Sequence, residues 1–378
     1  MANNMLDFIK ANGFKQFDAL PFTPVDNLIW SQMSYIDYEK AINAMPCGVS
    51  ALHGKLDFGV KSKENELLFQ LVASSARFAG TVVTDYVSEF SKEDTRQFAA
   101  VSFLLGDGTA YVSFRGTDST IVGWKEDFML SFTTPVPAQT EAVRYLNAAG
   151  RRLNCPLRVG GHSKGGNLAI YASAFCDKQV QDQIIEVYSN DGPGFEKKVL
   201  SSEGYLSIKP RIKRFIPESS VIGMLMDSDS SVSVIKSDGF SVWQHNPYSW
   251  LTEGEDFIYE SSTTFGSDMI SESQKDWFKQ LDEGKRKEYV DLVFDLIFAG
   301  NPHTLKDMRT DPAKLMMTLK AIKNLPPEDR STLSALIKQV FSSLYTGGSA
   351  ALKLKETAML ELIKAKLPFD EKDTKSLP

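Results

Sequence analysis

Apolar positions along this chain follow two rhythms, and the change between them divides it. From residue 98 to residue 250 segments with strand character alternate with segments repeating every three or four residues. Gln97–Leu105 reads as a strand, Gly106-Asp107-Gly108 as a turn and Thr109–Phe114 as the returning strand. A helix over residues 139–149 leads to a strand at Leu157–Gly160, and a helix running to Cys176 follows. Further strands are expected at Ile184–Ser189, Arg211–Pro217 and Ser231–Lys236. Such alternation predicts an α/β fold with a mostly parallel central sheet.

The flanks are helical. Thr23 or Asp26 can cap a helix with Leu28, Ile29, Met33 and Ile36 on one face. A second helix, about Glu64 to Phe78, carries Leu67, Leu68, Leu71 and Val72 at helical spacing. Residues 1–20 read as a loose arm or a short helix. After about residue 265 the strand signal is gone, and segments 272–299, 312–324 and 329–364 read as helices, the last with a stripe from Leu333 to Leu344. The expected organisation is an α/β domain over 1–264 and a helical appendage over 265–378.

Composition narrows the picture by exclusion. The chain has 378 residues, 42% of them hydrophobic, enough for a sizeable core. A net charge of −6 argues against a global nucleic-acid footprint. Cys47, Cys155 and Cys176 are odd in number and scattered, which suits reduced thiols rather than a disulfide framework or a metal site. The first residues lack the pattern of a secretory signal, and no apolar run reaches the roughly 18 residues of a spanning helix. These features predict a cytoplasmic protein with no integral membrane span.

The chemistry gathers at Arg158–Asn167. Gly161-His162-Ser163-Lys164-Gly165 fits G-x-S-x-G between a strand and a helix, which is the context of a nucleophile elbow. A serine there needs a base, and an acid to orient the base. The order in such folds is serine, acid, histidine. Of the four histidines, His53 precedes the elbow and His303 lies in the helical tail. His162 adjoins the serine and reads as structural, packing beneath the turn. His245 follows the last sheet strand and is the candidate base. Asp191, in Ser189-Asn-Asp-Gly-Pro-Gly194, is the preferred acid, with Glu218 in reserve. The expected oxyanion donors are the N–H of Lys164 and Thr117, which lies in the loop Phe114-Arg-Gly-Thr-Asp118. The Lys164 side chain either holds a carboxylate, favours an anionic substrate or is solvated.

On these residues the chain resembles α/β-hydrolases of the class 3, fungal-type lipase group. Phe114-Arg-Gly-Thr117, Trp124, Asp127 and Gly161-His-Ser-Lys-Gly-Gly166 carry the resemblance. It also resembles a family of bacterial α/β-hydrolase-like proteins through Pro21–Asn27, Gly161–Asn167, Ser189–Phe195, Pro217–Gly223 and Gln244–Trp250. The likeness covers about residues 20–255. The lipase resemblance implies Ser163 as nucleophile, His245 as base and Thr117 in the oxyanion hole. Two departures stand out. Ser220 occupies the position where the lipase acid would fall, and Lys164 replaces a leucine. The reading is a serine hydrolase of esterase or lipase type acting on a small-molecule acyl substrate, with no cofactor and no metal. Its rival is a non-catalytic α/β-hydrolase-fold binding protein that uses its helical region for partners. A Ser163–His245 separation beyond about 6 Å would favour the rival, because base catalysis cannot reach that far.

Overall fold

The computed structural model describes residues 3–59, 61–118, 120–130, 132–220, 222–239, 241–263, 283–298, 303–304 and 317. The strands are β1 (Cys47–Gly48), β2 (Val82–Ser91), β3 (Arg96–Leu104), β4 (Ala110–Phe114), β5 (Leu157–His162), β6 (Ile184–Asn190), β7 (Ile212–Pro217), β8 (Val232–Ile235), β9 (Thr252–Glu253), β10 (Asp256–Phe257) and β11 (Tyr259–Glu260). The longer helices are α1 (Met5–Asn12), α2 (Pro24–Met33), α3 (Ser62–Ser74), α4 (Ile121–Met129), α5 (Pro137–Leu153) and α6 (Lys164–Phe175). Nine strands form one sheet in the order β1-β2-β3-β4-β5-β6-β7-β8-β11. Its centre, β4 to β8, is parallel throughout, and both flanks are antiparallel. This is a mixed α/β arrangement, with helices on both faces of a mostly parallel central sheet.

Alternation along the strands creates two cores. Val101 and Phe103 of β3 and Tyr111 of β4 join Trp30 of α2 and Phe69 of α3 on one face. Phe98, Ala100, Val112 and Phe114 join Ala142 of α5 and Leu168 of α6 on the other. Because successive side chains of a strand point to opposite faces, one strand feeds both layers. The helix starts obey local chemistry. Thr23 and Asp26 form a reciprocal capping box on α2, with Pro24 at its first position.

One sequence reading is settled and two change. Of the loose arm or short helix expected over residues 1–20, the structure has the short helix, α1, whose Met5, Phe8 and Ile9 are buried and whose Asn4 and Asp7 form a capping box. The second helix ends at Ser74 rather than Phe78. Strand β2 was not anticipated from the sequence. Its register slips between Val83 and Asp85, so Val83 and Tyr86 face the core three residues apart and the alternation is broken.

The chain separates into two units, Met1–Asp118 with Glu126–Gln280, and Ser119–Lys125 with Leu281–Pro378. Within the second, the helix Glu283–Phe298 lies in the segment expected to be helical. Its Asp291 pairs with Lys125 at 2.8 Å, and the Ile121 N–H donates to the His303 carbonyl at 3.1 Å. The helices expected at 312–324 and 329–364, with the Leu333–Leu344 stripe, lie outside the described residues. Among the described residues, no helix is long and apolar enough to cross a membrane.

Candidate active site

The site lies at the C-terminal edge of β5 and β6, and glycine brings its pieces together. Strand β5 ends at His162 and α6 begins at Lys164, so Ser163 takes the whole reversal. Its φ of 59° and ψ of −132° put a non-glycine residue in a sparsely populated region. A Cβ on Gly165 would stand 2.1 Å from the Phe114 carbonyl oxygen, and one on Gly161 would stand 2.4 Å from the Gly165 carbonyl carbon. Only glycine lets the strand, the helix and the end of β4 approach so closely. The Ser163 N–H donates to the Asn190 carbonyl at 2.9 Å, tying the elbow to the end of β6.

Asp191 is the next residue, and it too has a positive φ, 51°. Its position is fixed from three sides. Its N–H donates to the Phe215 carbonyl of β7 at 2.7 Å. The Asn167 amide of α6 donates to the Pro193 and Gly194 carbonyls at 3.2 and 2.9 Å, closing the loop behind it. The Asn190 side chain exchanges hydrogen bonds with Asn27 of α2 and donates to Ser31 at 3.0 Å. Tyr111 of β4 donates to Asn27 at 2.8 Å, so this buried polar network joins α2 to three central strands. Buried polar groups are costly unless satisfied, and a network with its partners filled specifies a single geometry.

His245 arrives on the short 3-10 turn Ser241–His245 after β8. Its Nδ1–H donates to Asp191 Oδ2 at 2.6 Å, which leaves Nε2 as an acceptor 3.0 Å from the Ser163 hydroxyl. The three residues therefore form one hydrogen-bonded chain in which the imidazole can take the serine proton. The second carboxylate oxygen, Asp191 Oδ1, accepts from the Ser220 hydroxyl at 2.5 Å and from the Gly223 N–H at 3.0 Å. The reserve acid, Glu218, is engaged elsewhere. It accepts from Gln244 Nε2 at 3.2 Å, and Gln244 in turn accepts from the Ser219 N–H.

His162 does more than fill space under the turn. Its Nε2–H donates to the His245 carbonyl at 2.8 Å, its Nδ1 accepts from the Tyr35 hydroxyl at 3.0 Å, and the two imidazole rings lie 4.6 Å apart. Burial drives the His162 pKa well below its ordinary value, and the nearby His245 and Lys61 act in the same direction. His162 is thus a neutral brace for the His245 backbone. A histidine beside the elbow serine was visible in the sequence, but its partner was not. His53, by contrast, packs against the Phe69 ring.

Lys164 resolves in favour of a carboxylate. Its ammonium is buried and donates to Glu126 Oε2 at 2.8 Å, to the Gln97 carbonyl at 2.9 Å and to Gln97 Oε1 at 2.8 Å. Glu126 also accepts from the Ala138 and Gln97 N–H groups. The pair fastens the first turn of α6 to β3, α4 and the start of α5. Lys164 opens α6, so its N–H is a first-turn donor with no acceptor inside the helix. The Thr117 hydroxyl donates to Asp127. Burial raises the Asp127 pKa to about 6, against the pull of the Lys164 charge and the Thr117 hydrogen bond. Among the described residues the other oxygen, Asp127 Oδ1, is buried without a partner.

Comparison with known proteins gives a family and a set of distant folds. A family model described as Mbeg1-like matches residues 72–295. No curated protein is significantly similar to the chain. Among solved structures, the lipase–propeptide complex from Rhizomucor miehei aligns at 14% identity and a TM-score of 0.38, covering 65% of this chain and 74% of that one. The lipase from Yarrowia lipolytica aligns at 11% identity and a TM-score of 0.32, covering 50% and 76%.

Proposed function

This chain belongs to the Mbeg1-like family, and on that footing we propose that it is a serine acyl hydrolase acting on the ester or thioester of a small-molecule substrate. The observation that carries the reading is the hydrogen-bonded chain from Asp191 through His245 to a Ser163 held at a strained elbow. The Ser163–His245 distance of 3.0 Å is well inside the range that favours catalysis over a pure binding role.

In this mechanism the Ser163 oxygen adds to the substrate carbonyl as His245 Nε2 takes its proton. Asp191 keeps the imidazole in the tautomer that accepts at Nε2 and stabilises the imidazolium that forms. The carbonyl oxygen becomes an oxyanion, held by the N–H groups of Lys164 and Thr117. Collapse expels the alcohol or thiol, which receives the proton from His245, and leaves an acyl group on Ser163. Water then attacks the acyl carbon, His245 takes its proton, and the second collapse returns that proton to Ser163 as the carboxylic acid leaves. Each step uses only side-chain proton transfer and backbone donors, so the reading calls on neither a metal nor an organic cofactor.

The test is covalent labelling by a fluorophosphonate probe, which reports an activated serine without knowledge of the substrate. The wild-type chain is expected to label once, at Ser163, and Ser163→Ala to lose the label. Labelling that persists in Ser163→Ala, or a wild-type chain that does not label, would sink the proposal.

A further inference from the structure

The acid sits one strand earlier than in the lipases the sequence resembles, and the surroundings of Asp191 carry the marks of that move. Ser220, at the position where that group places its acid, gives its hydroxyl to Asp191 Oδ1 at 2.5 Å. The Gly223 N–H reaches the same oxygen at 3.0 Å and the Ser220 oxygen at 3.0 Å. The loop after β7 therefore supplies donors to the carboxylate rather than the carboxylate itself.

One buried cation ties these pieces together. Arg214, on β7, is 4% exposed. Most other shielded cations in this unit sit against a carboxylate: Arg77 on Asp26, Lys164 on Glu126, and Arg158 on Asp107 and Glu186. Arg214 instead directs Nη2 at two backbone carbonyls, Gly192 at 3.3 Å and Gly223 at 2.8 Å. Gly192 follows Asp191 in the chain, and Gly223 donates to the Asp191 side chain. The guanidinium thus bridges the loop that carries the carboxylate and the loop that grips it. Burial lowers the Arg214 pKa, while Tyr205 and Asp191 act to raise it, so Arg214 lies within electrostatic reach of the acid. Among the described residues no carboxylate forms an ion pair with Arg214, and burying an arginine without a contacting counter-ion is expensive.

We infer that Arg214 and Ser220 form a cradle that positions Asp191 against His245, Arg214 by clamping the Gly192 and Gly223 loops and Ser220 by holding Oδ1. Both are positioning residues, since neither touches the reacting atoms. The inference rests on the serine-hydrolase reading above. It goes beyond that reading in naming what allows the acid to work from the end of β6.

The experiment measures the second-order rate constant for fluorophosphonate labelling of Ser163, and separately the fraction of chains that label at the end point. It compares wild type with Arg214→Gln, Arg214→Lys and Ser220→Ala. A residue that only supported folding would lower the labelled fraction and leave the rate constant of the remaining chains unchanged. The cradle predicts that Arg214→Gln slows labelling by about tenfold or more per competent chain, the scale of one lost orienting interaction. Arg214→Lys should recover most of that loss, and Ser220→Ala should slow labelling severalfold. Should Arg214→Gln fail to fold, Ser220→Ala and Arg214→Lys decide the matter. Ser220→Ala with a wild-type rate constant overturns the cradle, as does Arg214→Gln with one, or an Arg214→Lys no faster than Arg214→Gln. A wild-type chain that does not label would instead strike the hydrolase reading itself, so the two failures are distinct.

Discussion

Removing both partners of the Lys164–Glu126 pair should cost far less than the two single removals added together. Their side chains are 1% and 0% exposed, so neither charge has water to fall back on. In Glu126→Gln the ammonium keeps two neutral acceptors on Gln97, and in Lys164→Met the carboxylate keeps the Ala138 and Gln97 N–H donors. Breaking a buried pair from one side typically costs roughly 3–5 kcal/mol, because an uncompensated charge stays behind. The double variant Lys164→Met/Glu126→Gln removes both charges and fills similar volume. What remains is the loss of a donor to the two Gln97 oxygens, about 1–3 kcal/mol for each acceptor left buried and unsatisfied.

The double variant should therefore lie well short of the summed singles, with a coupling energy of about 2 kcal/mol or more. Urea unfolding of the four proteins in the cycle measures this directly, provided the slopes agree between variants. Additivity within about 0.5 kcal/mol would refute the reasoning, since it would mean the two side chains do not feel each other. The same proteins address function. The pair anchors the turn whose N–H is the proposed oxyanion donor, so Glu126→Gln should also slow fluorophosphonate labelling, whereas a rate constant equal to wild type would detach the pair from the site.

Asp191→Asn should slow labelling by up to about 10⁴-fold by presenting the wrong partner to His245 Nδ1, while Glu218→Gln stays within about twofold of wild type; the reverse ranking would move the acid to Glu218. Thr117→Ser should keep the hydrogen bond to Asp127 and near-normal labelling, whereas Thr117→Val should lose about tenfold or more as the oxyanion loop loses its anchor; equal rates would show the hydroxyl to be idle. His162 adds a pH dependence whose sign follows from its lowered pKa. The unfolded chain takes up this proton below about pH 6.5 and the folded chain does not. Its contribution to stability is present above that pH and is lost as pH falls, at up to about 1.4 kcal/mol per pH unit. Stability of His162→Gln against pH, from urea unfolding between pH 5 and 8, should show a shallower acid limb than wild type; identical limbs would contradict a neutral buried imidazole.

What the sequence revealed was local. The elbow reads from five residues because part of its constraint is local, Gly161 having to be small where Gly165 crosses it, while Gly165 itself faces the distant Phe114 carbonyl. The hairpin of β3 and β4 reads for the same reason, through Gly106-Asp107-Gly108. Strand β2 was hidden by a local event of the opposite kind. Its register slip moves Tyr86 onto the face where alternation alone would place Asp85, so a period-two scan sees a broken pattern. The capping box of α1, Asn4 and Asp7, was in principle readable, since both residues act within one turn.

The acid and the lysine belong to another category. Asp191 and Glu218 close successive parallel strands, and both stand at the sheet edge where ligands collect. Which of them meets His245 depends on a 3-10 turn after β8 and on Gln244, which occupies Glu218. No spacing rule contains that information, because the histidine and the carboxylate become neighbours only when the sheet is complete. Lys164 is similar. Its acceptors stand on β3 and α4, elements far from it in the chain, so a reading by spacing could only offer carboxylate, substrate or water. Yet the sequence did hold an indirect sign of the acid's place, the serine at position 220 where a carboxylate would have been expected. A serine there is not simply a loss. Given Asp191 one strand earlier, a second carboxylate at 220 would set two like charges within hydrogen-bonding distance of each other, whereas a hydroxyl gives Asp191 a donor. On the proposed reading, the acid's location and the identity of residue 220 are thus one choice, made across two strands.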